Sequence, residues 1–124
     1  MIGALSCLVV DCPDPRSLAG FYESLLGLDR AEDSEEWVTS GDEGAPPRIA
    51  FQQVADFVAP TWGAGGVAQQ MHIDVLVQDL DVAQAAVLAL RATLLDGSDE
   101  PIGYRVFADP VGHPFCLVTP EALT

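Results

Sequence analysis

A chain of 124 residues, 49% of them hydrophobic, has the size of one domain and enough apolar material for a core. Five basic residues against nineteen acidic ones leave a net charge of −14, a field that repels phosphate backbones and anionic lipid and so excludes nucleic acid and membrane as partners. No apolar run reaches the roughly 18 residues of a membrane span, and Ile2, Gly3 and Ala4 follow Met1 where a secretory leader would be basic, so a soluble cytoplasmic protein is expected.

The first predicted element is a short apolar strand, CLVVDC from Cys7. Asp14 then reads as an N-cap with Pro15 at the first helical position. Leu18, Phe21, Tyr22, Leu25 and Leu26 form an apolar stripe at helical spacing, and Gly27 ends the helix. Three strand-like runs follow at 28–31, 37–40 and 48–54, separated by Gly, Pro and acidic turns. The acids of those turns, such as Glu32, Asp33, Glu35, Glu36, Asp42 and Glu43, read as solvated loop charge.

Residues 59–69 form a connector rich in Gly, Ala and Pro, with one large aromatic, Trp62, near its middle. The pattern then begins again. HIDVLVQDLDVAQAAVLALRAT from His72 matches CLVVDCPDPRSLAGFYESLLGL from Cys7 without a gap, and Asp79 falls against Asp14. Asp79 or Asp81 caps the second helix, whose buried face is expected to hold Val82, Ala85, Ala86 and Leu90. Arg91 stands where a helix-ending Gly would be more comfortable. Strands are expected at 93–95, 104–108 and 115–119.

Each half is therefore β-α-β-β-β, with one module at 1–58 and the other at 70–124. A module of this size alone buries little surface, so two packed together, sharing a core and curling their sheets around a cleft, make the predicted α+β architecture. Cys7, Cys12 and Cys116 are odd in number and apolar in setting, as reduced, buried thiols are. An extended strand puts Cys7 and Cys12 about 16 Å apart, beyond the roughly 7 Å that a disulfide spans.

Four stretches carry a resemblance: DCPDPRSLAGFYESLLGL from Asp11, AFQQV from Ala50, QQMHIDVLVQDLD from Gln69 and FADPVGHPFCLV from Phe107. Together they resemble the glyoxalase and bleomycin-resistance proteins of the vicinal oxygen chelate superfamily, in particular its actinobacterial glyoxalase-like subgroup. The resemblance implies a curled mixed sheet built from two βαβββ modules. In the metal-dependent relatives it also implies one divalent ion held by a His or Gln opening each module and a Glu on each module's last strand. Those positions fall here on Cys7, Gln52, His72 and Cys116. Only His72 is of the usual type, and a neutral amide at Gln52 is a poor substitute for carboxylate around Mn, Fe or Ni. No metal and no cofactor is therefore expected. Cys7, His72 and Cys116 in a zinc site are the alternative, against the simpler reading of both thiols as packing.

Strand alternation sends Cys7, Val9 and Asp11 to one face and Leu8, Val10 and Cys12 to the other. His72, Asp74 and Leu76 likewise share a face opposite Ile73, Val75 and Val77. The resemblance makes the Cys7 and His72 faces the inner ones. Asp11 and Asp74 then point toward a pocket, where a carboxylate favours a cationic or hydrogen-bond-donating guest. Trp37, Trp62 and Tyr104 offer flat apolar surface with polar tips, whereas Phe51 belongs to the core. His72 has the chemistry of a general base, but the sequence assigns it no carboxylate partner, and no catalytic residue is named. The expected ligand-binding set is Cys7, Asp11, Trp37, Gln52, Trp62, His72, Asp74, Tyr104 and Cys116.

The preferred function is metal-independent binding of a small aromatic or cationic molecule, a metabolite or an antibiotic, as in resistance-type members. The rivals are a metal-dependent lyase, isomerase or dioxygenase, in which an ion polarises vicinal oxygens, and an interaction module within a larger assembly. A homodimer is expected, since a small chain gains buried area by pairing.

Overall fold

An aspartate in extended conformation opens each helix. In the computed structural model, Asp14 accepts a hydrogen bond from the Ser17 N–H at 3.4 Å and starts α1, Pro15–Leu26, with proline at the helix start. Asp79 accepts from the N–H groups of Asp81 and Val82 and starts α2, Leu80–Ala89. The structure describes every residue but Ala64, Ser98 and Thr124, and only the backbone of Leu123. The chain forms two compact units, Met1–Phe57 and Val58–Thr124.

The first unit holds β1 (Cys7–Cys12), β2 (Arg30–Asp33), β3 (Trp37–Ser40) and β4 (Arg48–Gln53), ordered β1-β4-β3-β2 in one sheet. β1 runs parallel to β4, while β4 with β3 and β3 with β2 are antiparallel. After α1, residues 30–40 and 48–53 make a local meander, and β4 then inserts beside β1.

Early in the second unit, before its main sheet along the chain, β5 (Pro60–Thr61) pairs in parallel with β6 (Val67–Ala68), so the expected connector carries a short ladder of its own. The second unit then repeats the first sheet. β7 (Ile73–Leu76), β8 (Thr93–Gly97), β9 (Tyr104–Ala108) and β10 (Pro114–Val118) are ordered β7-β10-β9-β8, with β7 parallel to β10 and the other pairs antiparallel. The fold is thus α+β, with two mixed sheets of four strands and one α-helix for each. Among the described residues no helix is long and apolar enough to cross a membrane.

In each unit the helix covers one face of its sheet, and strand alternation leaves a second, helix-free face. Tyr22 of α1 packs its ring 5.7 Å from that of Phe51, and Glu23 accepts hydrogen bonds from Arg30 and Ser40. Phe51, Ser40 and Arg30 therefore mark the helix side, and Ala50, Thr39 and Gln52 the other. In the second unit Arg105 is 3% exposed and reaches Gln84 and Asp81 of α2, while Phe107 stacks on Phe115 at 5.7 Å. Val106, Cys116 and Val118 then lie on the helix-free face, where they form a buried cluster.

The expected buried face of α2 needs correction. Leu80 and Val87 are buried and Ala83 and Gln84 half-buried, while Val82, Ala85 and Ala86 are exposed and Leu90 is half-buried. Apart from Asp81 and Gln84 the segment is apolar, so hydrophobic periodicity marks its phase only weakly. What sets the rotation is polar: the Asp79 cap and the reach of Arg105 to Gln84 and Asp81.

Candidate functional site

On the helix-free face of the first unit, Asp11, Gln52 and Trp37 stand in one cross-strand row. Gln52 Nε2 donates to Asp11 Oδ1 at 3.5 Å, and Trp37 Nε1 donates to Glu32 Oε1 at 3.5 Å. Both Asp11 and Gln52 are exposed and Trp37 is half-buried. Cys7, half-buried, begins the same strand and is paired with Arg48 rather than Gln52. Glu32 was absent from the expected set; a register shift in β2 lets it reach Trp37 and Thr39, and no sequence signal marks that shift.

The second unit brings its expected residues closer together. Asp74 on β7 lies directly opposite Cys116 on β10, and His72, two residues before Asp74, shares its face. His72 Nε2 is 3.4 Å from Asp74 Oδ1, so the structure supplies the carboxylate partner that the sequence left unassigned. The imidazole nitrogen, a carboxylate oxygen and the Cys116 sulfur all lie within 4.8 Å of one another. Trp62 meets the His72 ring edge to face, with centroids 5.5 Å apart, and packs on the Val106, Cys116 and Val118 cluster. Tyr104 is opposite Val118 on this face but 59% exposed.

Charge and burial decide what these groups can do. Burial first, then the Asp74 carboxylate and its hydrogen bond, push the Cys116 thiol up to about 11. At neutral pH the metal-free thiol therefore keeps its proton and is no nucleophile. His72 and Asp74, with side chains 33% and 51% exposed, are the accessible polar groups beside Trp62. The face thus offers an aromatic wall, an imidazole and a carboxylate acceptor above an apolar floor. A depression of about 550 Å³ also opens in the first unit, between the turns that hold Gly27, Leu28, Asp29, Gly41, Asp42 and Glu43; no expected site residue lines it.

The four-ligand ion implied by the resemblance can be tested on the register. With Cys7 set against His72, Val9 corresponds to Asp74. Val9 is paired with Ala50 as Asp74 is paired with Cys116. Ala50, not Gln52, is thus the counterpart of Cys116, and its methyl group offers no donor atom. Gln52 lies one pleat further along, level with Asp11. The residues present do not fit that ion.

Comparison with known proteins agrees with this architecture. Residues 7–118 match the family model described as a glyoxalase-like domain. Among solved structures, a glyoxalase/bleomycin resistance protein/dioxygenase family enzyme from Burkholderia phytofirmans PsJN is similar at 20% identity, with 94% of this chain and 98% of that one covered and a TM-score of 0.70. The fosfomycin resistance protein FosX from Listeria monocytogenes is similar at 17% identity over the full length of both chains, with a TM-score of 0.71. A lactoylglutathione lyase from Agrobacterium tumefaciens is similar at 17% identity, covering 96% of this chain and 95% of its own, with a TM-score of 0.60. No curated protein matches the sequence.

Proposed function

The chain belongs to the glyoxalase-like domain family, and from that premise we propose that it binds a small, partly aromatic molecule in the cytoplasm, without the four-ligand ion of its metal-dependent relatives. One observation carries the reading. Trp62, on the segment that joins the sheets, stands edge to face with His72 at 5.5 Å, beside the Asp74 carboxylate and over a buried apolar cluster. A planar guest meets a rigid aromatic wall there, and a hydrogen-bond-donating or cationic group on it meets Asp74. Tyr104 and Leu76 extend the same face with exposed apolar surface. The rival, a metal-assisted lyase, isomerase or dioxygenase, needs a donor that Ala50 does not supply.

The test is tryptophan fluorescence in Trp37→Phe protein, which leaves Trp62 as the reporter, against planar neutral and cationic metabolites with a chelator present. Binders are expected among them. Trp62→Ala and His72→Ala should each weaken a confirmed binder by roughly 1 to 3 kcal/mol. If neither change alters the affinity while Val82→Glu, on the exposed side of α2, abolishes it, the placement is wrong.

A further inference from the structure

We propose that Thr61 is the positioning residue of the Trp62 face: its hydroxyl pins the turn that carries Trp62 and so holds the indole against His72, a role that rests on the binding reading above. The turn has little else to fix it. Gly63, Gly65 and Gly66 stand at φ of 89°, 92° and 58°, backbone that glycine reaches freely and that costs the most conformational entropy to hold in one state. The strands on either side, β5 and β6, are two residues each, a ladder too short to impose a geometry by itself.

Thr61 Oγ1 supplies the constraint. It donates to the Gly65 carbonyl at 2.5 Å, with the Val67 carbonyl at 3.2 Å as a second acceptor, and so bridges the turn from the residue just before Trp62 to the residues that close it. The backbone adds a bond nearby, from the Gln69 N–H to the Thr61 carbonyl at 3.3 Å. Gly66 makes room for the side chain: a Cβ there would lie 2.7 Å from Thr61 Cγ2. Because a β-branched residue is stiff at χ1, the place of that methyl group also fixes the direction of the hydroxyl. Trp62 therefore leaves a restrained residue, and its ring lands 5.5 Å from that of His72 and on the Val106, Cys116 and Val118 cluster. One neutral hydrogen bond in an exposed turn adds little to the stability of a whole domain, yet it shifts the population of so loose a segment roughly fivefold.

The experiment uses the full chain with Trp37→Phe, so that Trp62 is the one indole left, and it needs no ligand. Acrylamide quenching measures how open that indole is, and near-ultraviolet circular dichroism how firmly it is held. Thr61→Val keeps the shape and removes the hydroxyl. It is expected to raise the quenching constant roughly twofold or more and to flatten the indole dichroism, while the urea midpoint of the protein barely moves. Thr61→Ser, which keeps the hydroxyl, should match the parent. Gly66→Ala, which keeps the hydroxyl but crowds the Thr61 methyl group, should move both readings as the valine variant does. Parental quenching in Thr61→Val or in Gly66→Ala, or a serine variant as open as the valine one, overturns the proposal. The metabolite screen is a separate measurement: its failure would sink the binding reading and leave these spectra as expected, whereas unmoved spectra would sink the pin and leave any binder standing.

Discussion

Gly27 and Arg91 end the two helices in the same left-handed backbone, with φ of 67° and 76°. Behind Gly27, the Leu28 N–H reaches back to the Glu23 carbonyl at 3.1 Å. Behind Arg91, the Ala92 N–H reaches the Val87 carbonyl at 3.0 Å, and Arg91's own N–H bonds Leu88 at 3.0 Å. The second is a full Schellman turn, the first shares its long bond back to the last turn while the Gly27 N–H also bonds Glu23, and only the first uses the residue that has no Cβ to strain.

Arg91→Gly is therefore expected to stabilise the protein by about 1 kcal/mol, and Gly27→Ala to destabilise it by a similar amount. Urea denaturation of the two variants beside the parent measures both. A less stable Arg91→Gly protein would mean that the arginine side chain contributes more than its backbone costs.

The buried guanidinium of Arg105 makes a second case. It donates at 2.9 to 3.0 Å to Gln84, to Asp81 and to the Glu100 carbonyl, and so ties β9 both to α2 and to the loop before β9. A lysine ammonium has no planar fork and cannot satisfy the three acceptors together. Arg105→Lys should cost about 2 kcal/mol in thermal or chemical unfolding, although charge is kept.

Cys116 sets an alkaline limit. The folded state holds its proton up to about 11, whereas the unfolded chain releases it near 9.0, so the stability contributed is complete below 9.0 and is lost as pH rises through 11. Metal-free protein is expected to lose on the order of 2 kcal/mol across that interval, a loss that Cys116→Ala should largely remove. The chain contains no lysine, so the other side chains whose ordinary range falls there are Cys7, Cys12, Tyr22 and Tyr104, which is why the profile is compared with that of Cys116→Ala. A pH profile identical in both proteins would contradict the assignment.

A homodimer is expected in solution. β8 is an edge strand, and its Leu94 and Leu95 are 41% and 42% exposed, the kind of apolar surface that association covers. Light scattering at micromolar concentration should give twice the mass of one chain; the mass of a single chain there would rule out an obligate dimer.

Local chemistry is what the sequence made legible. Asp14, Pro15 and Gly27 bracket α1 as their capping roles require, Asp79 opens α2, and the discomfort at Arg91 is visible as a positive φ. The β-α-β-β-β repeat follows from those signals, and alternation correctly groups His72 with Asp74. Register was hidden, because it depends on which distant residues meet. The resemblance puts a ligand position on Gln52, yet the pairing of Val9 with Ala50 gives the place opposite to an alanine. The closeness of Asp74 to Cys116 likewise exists only once β10 lies beside β7. In α2, where only Asp81 and Gln84 are polar, the apolar pattern is too uniform to display the phase that α1 does.

The strand order β1-β4-β3-β2 also governs when the first unit can become stable. β2, β3 and β4 are neighbours along the chain and in the sheet, so they pair through short closures, whereas β1 has no partner until Arg48 to Gln53 have been made. During synthesis from the N-terminus, the apolar strand from Cys7 to Cys12 thus leaves the ribosome with its backbone groups unmatched and waits for the last strand of its own unit. The strand made first is the one that closes the sheet, and β7 waits in the same way for β10.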